Sequence, residues 1–288
     1  MNLGPAGRVG ATAAGLCLLA FWTAPLWWGL DPELTDAGAI FAEASAAHPL
    51  GTDQEGRDVL ARVLAGGRLA SLVGLGVVFA AVGGGALLGL LAGWRGGWVD
   101  GLVSRVSDVA LAFPGLLLAL LVLFVSERPG VMTVVLALSA TGWASHARIV
   151  RGLVLAVRHR PVLRAARLYG CSEGRLLWRF VVPTIAGPVA VQATFALAGA
   201  VLGEASLSFL GLGPQGAVSW GAMLSDGATL MLRSPVLLLA TGSTLLLWQT
   251  GFILLADGLR DGLDPALQVG PIGAARASRG RAEGGRAR

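Results

Sequence analysis

Six stretches of this chain are almost unbroken in apolar residues, and its polar residues are gathered between them. The runs are Val9–Leu30, Leu69–Ala92, Val109–Val125, Val131–Ala147, Ile185–Gly203 and Val236–Ala256. About 20 apolar residues, rising 1.5 Å each, cross roughly 30 Å of hydrocarbon. Each run therefore predicts a membrane-crossing helix, and the whole predicts an all-α polytopic membrane protein with about six transmembrane helices. The third run contains Pro114, and the fourth carries Trp143, Ser145 and His146 near its end, so these two depart most from a plain span. The pattern divides the chain into an N-terminal helix plus polar segment over 1–68, a membrane body over 69–264 and a basic tail over 265–288. The tail is rich in Gly, Ala and Arg, lacks an apolar face and is expected to be disordered. Ala11–Ala13 offers the Ala-x-Ala of a signal-peptide cleavage site. It sits near the start of the first apolar run, which continues well past it, so a retained span is expected.

Composition supports the pattern. The chain is 55% hydrophobic and 14% charged, with 43 glycines and a mean hydropathy of +0.71, far from the balance of a soluble domain. A net charge of +5 raises the question of nucleic-acid binding, but the placement of charge answers it otherwise. Eight arginines and one acid, Glu173, lie between Arg148 and Pro183, whereas 31–68 holds seven acids and three arginines. Basic residues are retained on the cytoplasmic side of a membrane. The basicity thus predicts cytoplasmic segments at 1–8, 93–108, 148–184 and 257–288, with both termini inside and 31–68 outside. No nucleic-acid partner is expected.

All 22 basic residues are arginine, in keeping with a chain biased toward Ala, Gly, Val, Leu and Arg. One consequence follows. A phosphate-binding P-loop needs a lysine to reach the terminal phosphates, so any ATP that powers this protein binds to another polypeptide. No cofactor is expected on this chain. Cys17 and Cys171 fall at different depths and cannot pair. His48, His146 and His159 lie in three segments without ligand spacing, so no metal site is expected. Gly83-Gly84-Gly85 lies within an apolar run, where small residues let helices approach closely.

The basic segment reads as structured. Pro161 suits the first turn of a short helix to Tyr169, and Gly170 suits a left-handed stop. Ser172 is an N-cap candidate for a second helix over Glu173–Val182, with Glu173 favourable at its positive end. Ala165 and Ala166 place two small side chains on the first helix, where a partner surface could approach, amid arginines that would also suit a plain snorkelling loop.

These residues resemble a known pattern. Arg164-Ala165-Ala166-x3-Gly170, followed by Phe180-x-Val182-Pro183, is similar to the E-A-A-x3-G-x9-I-x-L-P signature of bacterial ABC-importer permeases. Arg164 stands where the family has an acid. Four further segments resemble the C-type permease subunit of the dipeptide/oligopeptide/nickel group. They are His48-Pro49-Leu50-Gly51-Thr52-Asp53-x2-Gly56-Arg57-Asp58; Val99-Asp100 through Arg105 and Asp108 to Ala112-Phe113-Pro114; Glu204-Ala205-x-Leu207-Ser208-Phe209-Leu210-Gly211-Leu212-Gly213 with Ser219-Trp220-Gly221-x-Met223-Leu224, read as an outer loop; and Asp257-Gly258-Leu259-Arg260-Asp261-x-Leu263-Asp264-Pro265. Together they cover most of 48–265. The outer stretch Pro214-Gln215-Gly216-Ala217-Val218 is shorter than the family's and lacks its proline run.

The resemblance implies a permease subunit of the cytoplasmic (inner) membrane, translocating di- or oligopeptides; nickel or another small solute is the alternative within the group. It implies a second homologous permease, two ABC ATPase subunits that carry ATP and Mg, and an extracytoplasmic solute-binding protein. It also implies that the cytoplasmic 158–183 loop between spans four and five is a coupling helix, contacting the ATPase through Ala165, Ala166, Gly170 and Pro183. An ion-coupled carrier is a distant alternative, since such carriers need ionisable residues well inside the membrane, and Asp108, Glu204 and Asp257 lie near the ends of the apolar runs. Converging catalytic groups of a membrane enzyme are not apparent.

Overall fold

The computed structural model describes residues 4–28 and 31–263; the expected disordered tail lies outside them. Among the described residues there are helices and no strand, only an isolated bridge between Thr52 and Asp58. Helix α1 (Pro5–Trp28) is followed by a polar segment. Helices α2 (Val59–Val77) and α3 (Gly84–Arg95) are fused through a π-helical turn over Val78–Gly83. Next come α4 (Gly97–Ala112), α5 (Gly115–Val125) and α6 (Val131–Arg158), then the short α7 (Pro161–Leu168) and α8 (Glu173–Leu176). A second π turn (Leu177–Val181) joins α8 to α9 (Val182–Phe209), and α10 (Trp220–Thr229) and α11 (Val236–Leu263) complete the order.

Four segments are long and apolar enough to cross a membrane: Pro5–Ala24, Val59–Arg95, Glu173–Phe209 and Val236–Leu263. A fifth is added if α4 and α5 form one broken span. The remaining long helix, α6, has 28 residues, but Ser145, His146, Arg148 and Arg151 lower its apolarity. The third predicted run is thus not one rod. Its two halves meet at 79°, because Pro114 drives Phe113 into extended backbone. The fourth run extends past Ala147 to Arg158, so the first part of the expected basic loop is helix.

Close helix approach is set by glycine. A Cβ on Gly10 would collide with the backbone of Leu255, and one on Gly258 with Gly7, so α1 and α11 touch backbone to backbone. Likewise Gly85, Gly89 and Gly93, at four-residue spacing on α3, lie against Trp143, Ala147 and Val154 of α6. Of the glycine triplet, only Gly85 serves such a contact; Gly84 has open space beside it.

Three apolar clusters hold the helices together. The first gathers Phe21, Trp220, Trp248 and Phe252 from α1, α10 and α11, with neighbouring rings 4.6–6.0 Å apart, and the Trp220 indole N–H donates to the Val63 carbonyl at 2.8 Å. The second joins α2, α5, α6 and α9 around Val73, Leu123, Val134 and Leu207. The third lies at the end bearing α7. Outside these clusters, Phe79, Phe124, Leu121 and Leu246 are exposed, as expected of a surface solvated by lipid.

The segment before α2 is a compact polar knot. The buried Asp53 accepts from Arg57 and Arg62 side chains, both at 2.8 Å, and from the backbone N–H of Glu55 and Arg57. Asp58 caps α2 by accepting from the Ala61 N–H at 2.7 Å and also meets His48 Nδ1 at 2.9 Å. This motif therefore anchors the entry to the second span, with Asp53 neutralising a buried Arg62.

The region read as an outer loop is largely helical. Helix α9 continues through Glu204 to Phe209, and Trp220 opens α10, a ten-residue helix. Glu204, 1% exposed, accepts from Ser208 at 2.6 Å and from Ser219 at 2.8 Å. A buried carboxylate without donors would be costly; here Ser208 supplies one from the same helix, and the Ser219 hydroxyl ties α10's N-cap residue to α9.

Candidate functional site

The basic segment folds into a short helix held against the end of the bundle. Helix α7 starts at Pro161, as the sequence predicts, and ends in a Schellman stop. The Cys171 N–H donates to the Ala166 carbonyl at 3.1 Å and the Gly170 N–H to Arg167 at 3.0 Å. Gly170 has φ +80° and open space beside it, a backbone that a side chain would strain. Ser172 precedes α8 but makes no side-chain cap bond. The second helix does not end at Pro183; it runs on as one rod to Phe209. The missing N–H of Pro183 is accommodated because the ladder has already shifted in the π turn just before it.

One side of α7 is fixed. Leu163 is 1% exposed and packs with Val150, Val154, Val157, Leu176, Val181 and Ile185, and Ala166 sits half-buried at the rim of this cluster. Arg167 is pinned twice, donating to Glu173 at 2.8 Å and lying 5.4 Å from the centre of the Trp94 ring. The opposite side is bare. Val162, Ala165 and Tyr169 recur at helical spacing and are exposed with Leu168; Leu168 and Tyr169 are 89% and 90% exposed. Arg164 is exposed beside them.

Of the four residues singled out in the sequence, Ala165, Ala166 and Gly170 thus share one helix and its stop, but they play different parts. Ala165 looks outward, Ala166 packs inward, and Gly170 shapes the backbone. Pro183 is exposed in the first turn of α9, apart from that face. The exposed apolar residues Val162, Leu168 and Tyr169 were not singled out; the i, i+3, i+7 pattern of 162, 165 and 169 was the signal that could have found them.

A second polar constellation lies between α4 and α6. Asp108 accepts from Arg148 Nη2 at 2.5 Å, and Asp100 accepts from both Nε and Nη2 of Arg151, the latter at 2.8 Å. Helix α4 turns its polar side toward α6, with Ser107 buried and Asp100 and Ser104 half-buried, while Trp98, Leu102, Val106 and Val109 are exposed. Sequence reading found the aspartates but not their partners, which lie 40 and 51 residues away.

Long apolar helices, with a short helix that is exposed on one side and held at one end of their bundle, define a multi-pass helical membrane protein. The chain belongs to the family described as binding-protein-dependent transport system inner membrane components, whose pattern it matches over residues 85–269. It is 38% identical over 225 residues to the dipeptide transport system permease protein DppC of Alkalihalophilus pseudofirmus, covering 78% of this chain and 74% of that one. It is 34% identical over 261 residues to the oligopeptide transport system permease protein OppC of Bacillus subtilis, covering 90% and 85% respectively. With the glutathione transport system permease protein GsiD of Pectobacterium atrosepticum the identity is 36% over 264 residues, covering 90% and 87%.

Proposed function

We propose that this chain is a permease subunit of an ATP-driven ABC importer that carries di- and oligopeptides inward across the cytoplasmic membrane. The observation that carries the solute assignment is the likeness, along most of the chain's length, to permeases named for dipeptides, oligopeptides and glutathione. It favours peptides over nickel within the group. In this reading a second permease completes the pathway, two ATPase chains bind ATP and Mg, and a solute-binding protein delivers the peptide from outside. Helix α7 is the coupling helix: Leu163 fastens it to the ends of α6 and α9, and Val162, Ala165, Leu168 and Tyr169 seat in the ATPase. Because one face is fixed, motion of the ATPases is passed to the spans, biasing an equilibrium between inward- and outward-facing states. Both termini and α7 lie on the cytoplasmic side, with 31–58 outside.

The test is reconstitution. The two permeases, two ATPases and binding protein in proteoliposomes should accumulate labelled dipeptide with ATP on the ATPase side, and this subunit purified alone should bind no ATP. Uptake that persists without the ATPases, driven by an ion gradient, would overturn the assignment.

A further inference from the structure

Helices α3 and α9 leave a long groove between them. Leu87 and Leu90 of α3 and Val182, Ala186 and Ala190 of α9 form its walls, and Val150 of α6 forms its floor. Every lining residue is apolar, and the volume is about 450 Å³. Both walls belong to segments long and apolar enough to cross a membrane, Val59–Arg95 and Glu173–Phe209. Leu87, Ala186 and Ala190 are exposed, so the groove is open along its outer side.

Its shape restricts what fits. Along α9 the groove runs from Trp178 to Ala193, which is about 22 Å at 1.5 Å per residue. Spread over that length, the volume corresponds to a cross-section of about 20 Å², whereas a helix 10–12 Å across needs roughly 80 Å² or more. A single extended hydrocarbon chain fits; a second helix does not.

One end of the groove carries charge. Trp178, 69% exposed, stands at that end, and Trp94 follows Leu90 by one turn on the facing wall. Arg167 joins the two walls there, lying 5.4 Å from the centre of the Trp94 ring and donating to Glu173 at 2.8 Å. The only acid of this corner is therefore already paired. Arg95, next to Trp94, and Arg175, one turn before Trp178, are exposed and make no ion pair among the described residues. Arg95 closes one of the two apolar segments and Arg175 stands in the first turn of the other. Tryptophans at span ends sit at the level of the headgroups, and unpaired arginines there attract anionic lipid.

We propose that this groove binds one anionic phospholipid, with an acyl chain lying between α3 and α9 and the phosphate meeting Arg175 and Arg95. Shape admits the chain, and a basic end with no free acid selects an anionic headgroup over a zwitterionic one. A single acyl chain gives only marginal binding, and a basic patch supplies the second signal that makes it stable.

The experiment uses the full-length protein, extracted in mild detergent with the subunits it retains and stripped of lipid. It is titrated with dioleoyl phosphatidylglycerol or dioleoyl phosphatidylcholine, and the bound lipid is counted by native mass spectrometry. The wild type should retain phosphatidylglycerol in preference to phosphatidylcholine. Arg175→Gln should weaken phosphatidylglycerol retention by about fivefold, and Arg175→Gln with Arg95→Gln by about twenty-five-fold, at the worth of one arginine near a lipid surface each. Arg175→Lys should restore it, and Arg105→Gln, on α4 and outside the groove, should leave it unchanged. Ala190→Trp fills the groove and should abolish the preference although both arginines remain. In a background lacking Cys17 and Cys171, Ala186→Cys should react with a maleimide carried on an acyl chain. Equal retention of the two lipids by the wild type would overturn the proposal, as would wild-type retention in the double arginine variant or in Ala190→Trp. Protection of the introduced thiol, with cross-linking to another subunit, would show a protein surface in the groove and overturn it as well.

Discussion

Replacing Ala165 by arginine separates docking from folding. In the subunit the position is exposed on α7, and none of its neighbours three or four residues away, Pro161, Val162, Leu168 and Tyr169, is charged. Arginine is nearly as good a helix former as alanine, costing a few tenths of a kcal/mol, and a cation near a helix C-terminus recovers about as much. The change is therefore close to neutral for the permease itself. If the Val162–Ala165–Tyr169 face is buried against an ATPase, however, the new charge must be desolvated without a partner, at about 3–5 kcal/mol. At 1.4 kcal/mol per decade this weakens association roughly a hundredfold to a few thousandfold. The assay is titration of purified ATPase onto the detergent-solubilised permease pair, with the melting midpoint of the pair recorded alongside. The expected result is lost binding and uptake with an unchanged midpoint. ATPase affinity equal to wild type would show that this face is not the docking surface. Ala166→Asp could not make this distinction, because Ala166 packs on the Leu163 cluster and a charge there would also disturb the subunit.

Three further outcomes follow from the geometry. In a background lacking Cys17 and Cys171, Ala44→Cys and His159→Cys should react with an impermeant thiol reagent from opposite sides of the membrane, and labelling from one side would refute the topology. Gly89→Leu should separate α3 from α6, since even a Cβ there meets the Ala147 backbone; the cost of overpacking is about 1–3 kcal/mol or more, read as a lower melting midpoint in detergent. Glu204→Ala should leave the buried Ser208 and Ser219 hydroxyls without their acceptor, at roughly 1–3 kcal/mol for each orphaned group. Proteolysis or amide exchange should then show α10 loosened from α9, and unchanged protection would argue against the tie.

Much of the architecture was legible because lipid imposes it. A span must be apolar and must satisfy its backbone internally, so the runs behind α1, α2–α3, α9 and α11 announced themselves by composition, and the stop at Gly170 by a residue that tolerates positive φ. Sequence pattern failed where polar residues face inward. Arg148 and Arg151 of α6 looked like the start of a loop, but they are spent on Asp108 and Asp100 of α4, and a helix whose polar side is covered carries no simple apolar signal. The same reason hid α10, whose polar opening residue Ser219 is matched by Glu204 on another helix.

By itself, the sequence determined that this is a membrane-embedded helical protein, which stretches are most apolar, which ends of those stretches gather the arginines, and that no lysine is present for a P-loop. These are one-dimensional properties, set by the solvent around each stretch of chain. Tertiary structure decided which of Ala165 and Ala166 faces outward, that the third run breaks at 79°, and that Arg148 and Arg151 meet Asp108 and Asp100. Those outcomes depend on which helix faces are brought together across long intervals of sequence, and side-chain direction on a helix acquires meaning only once its neighbour is in place.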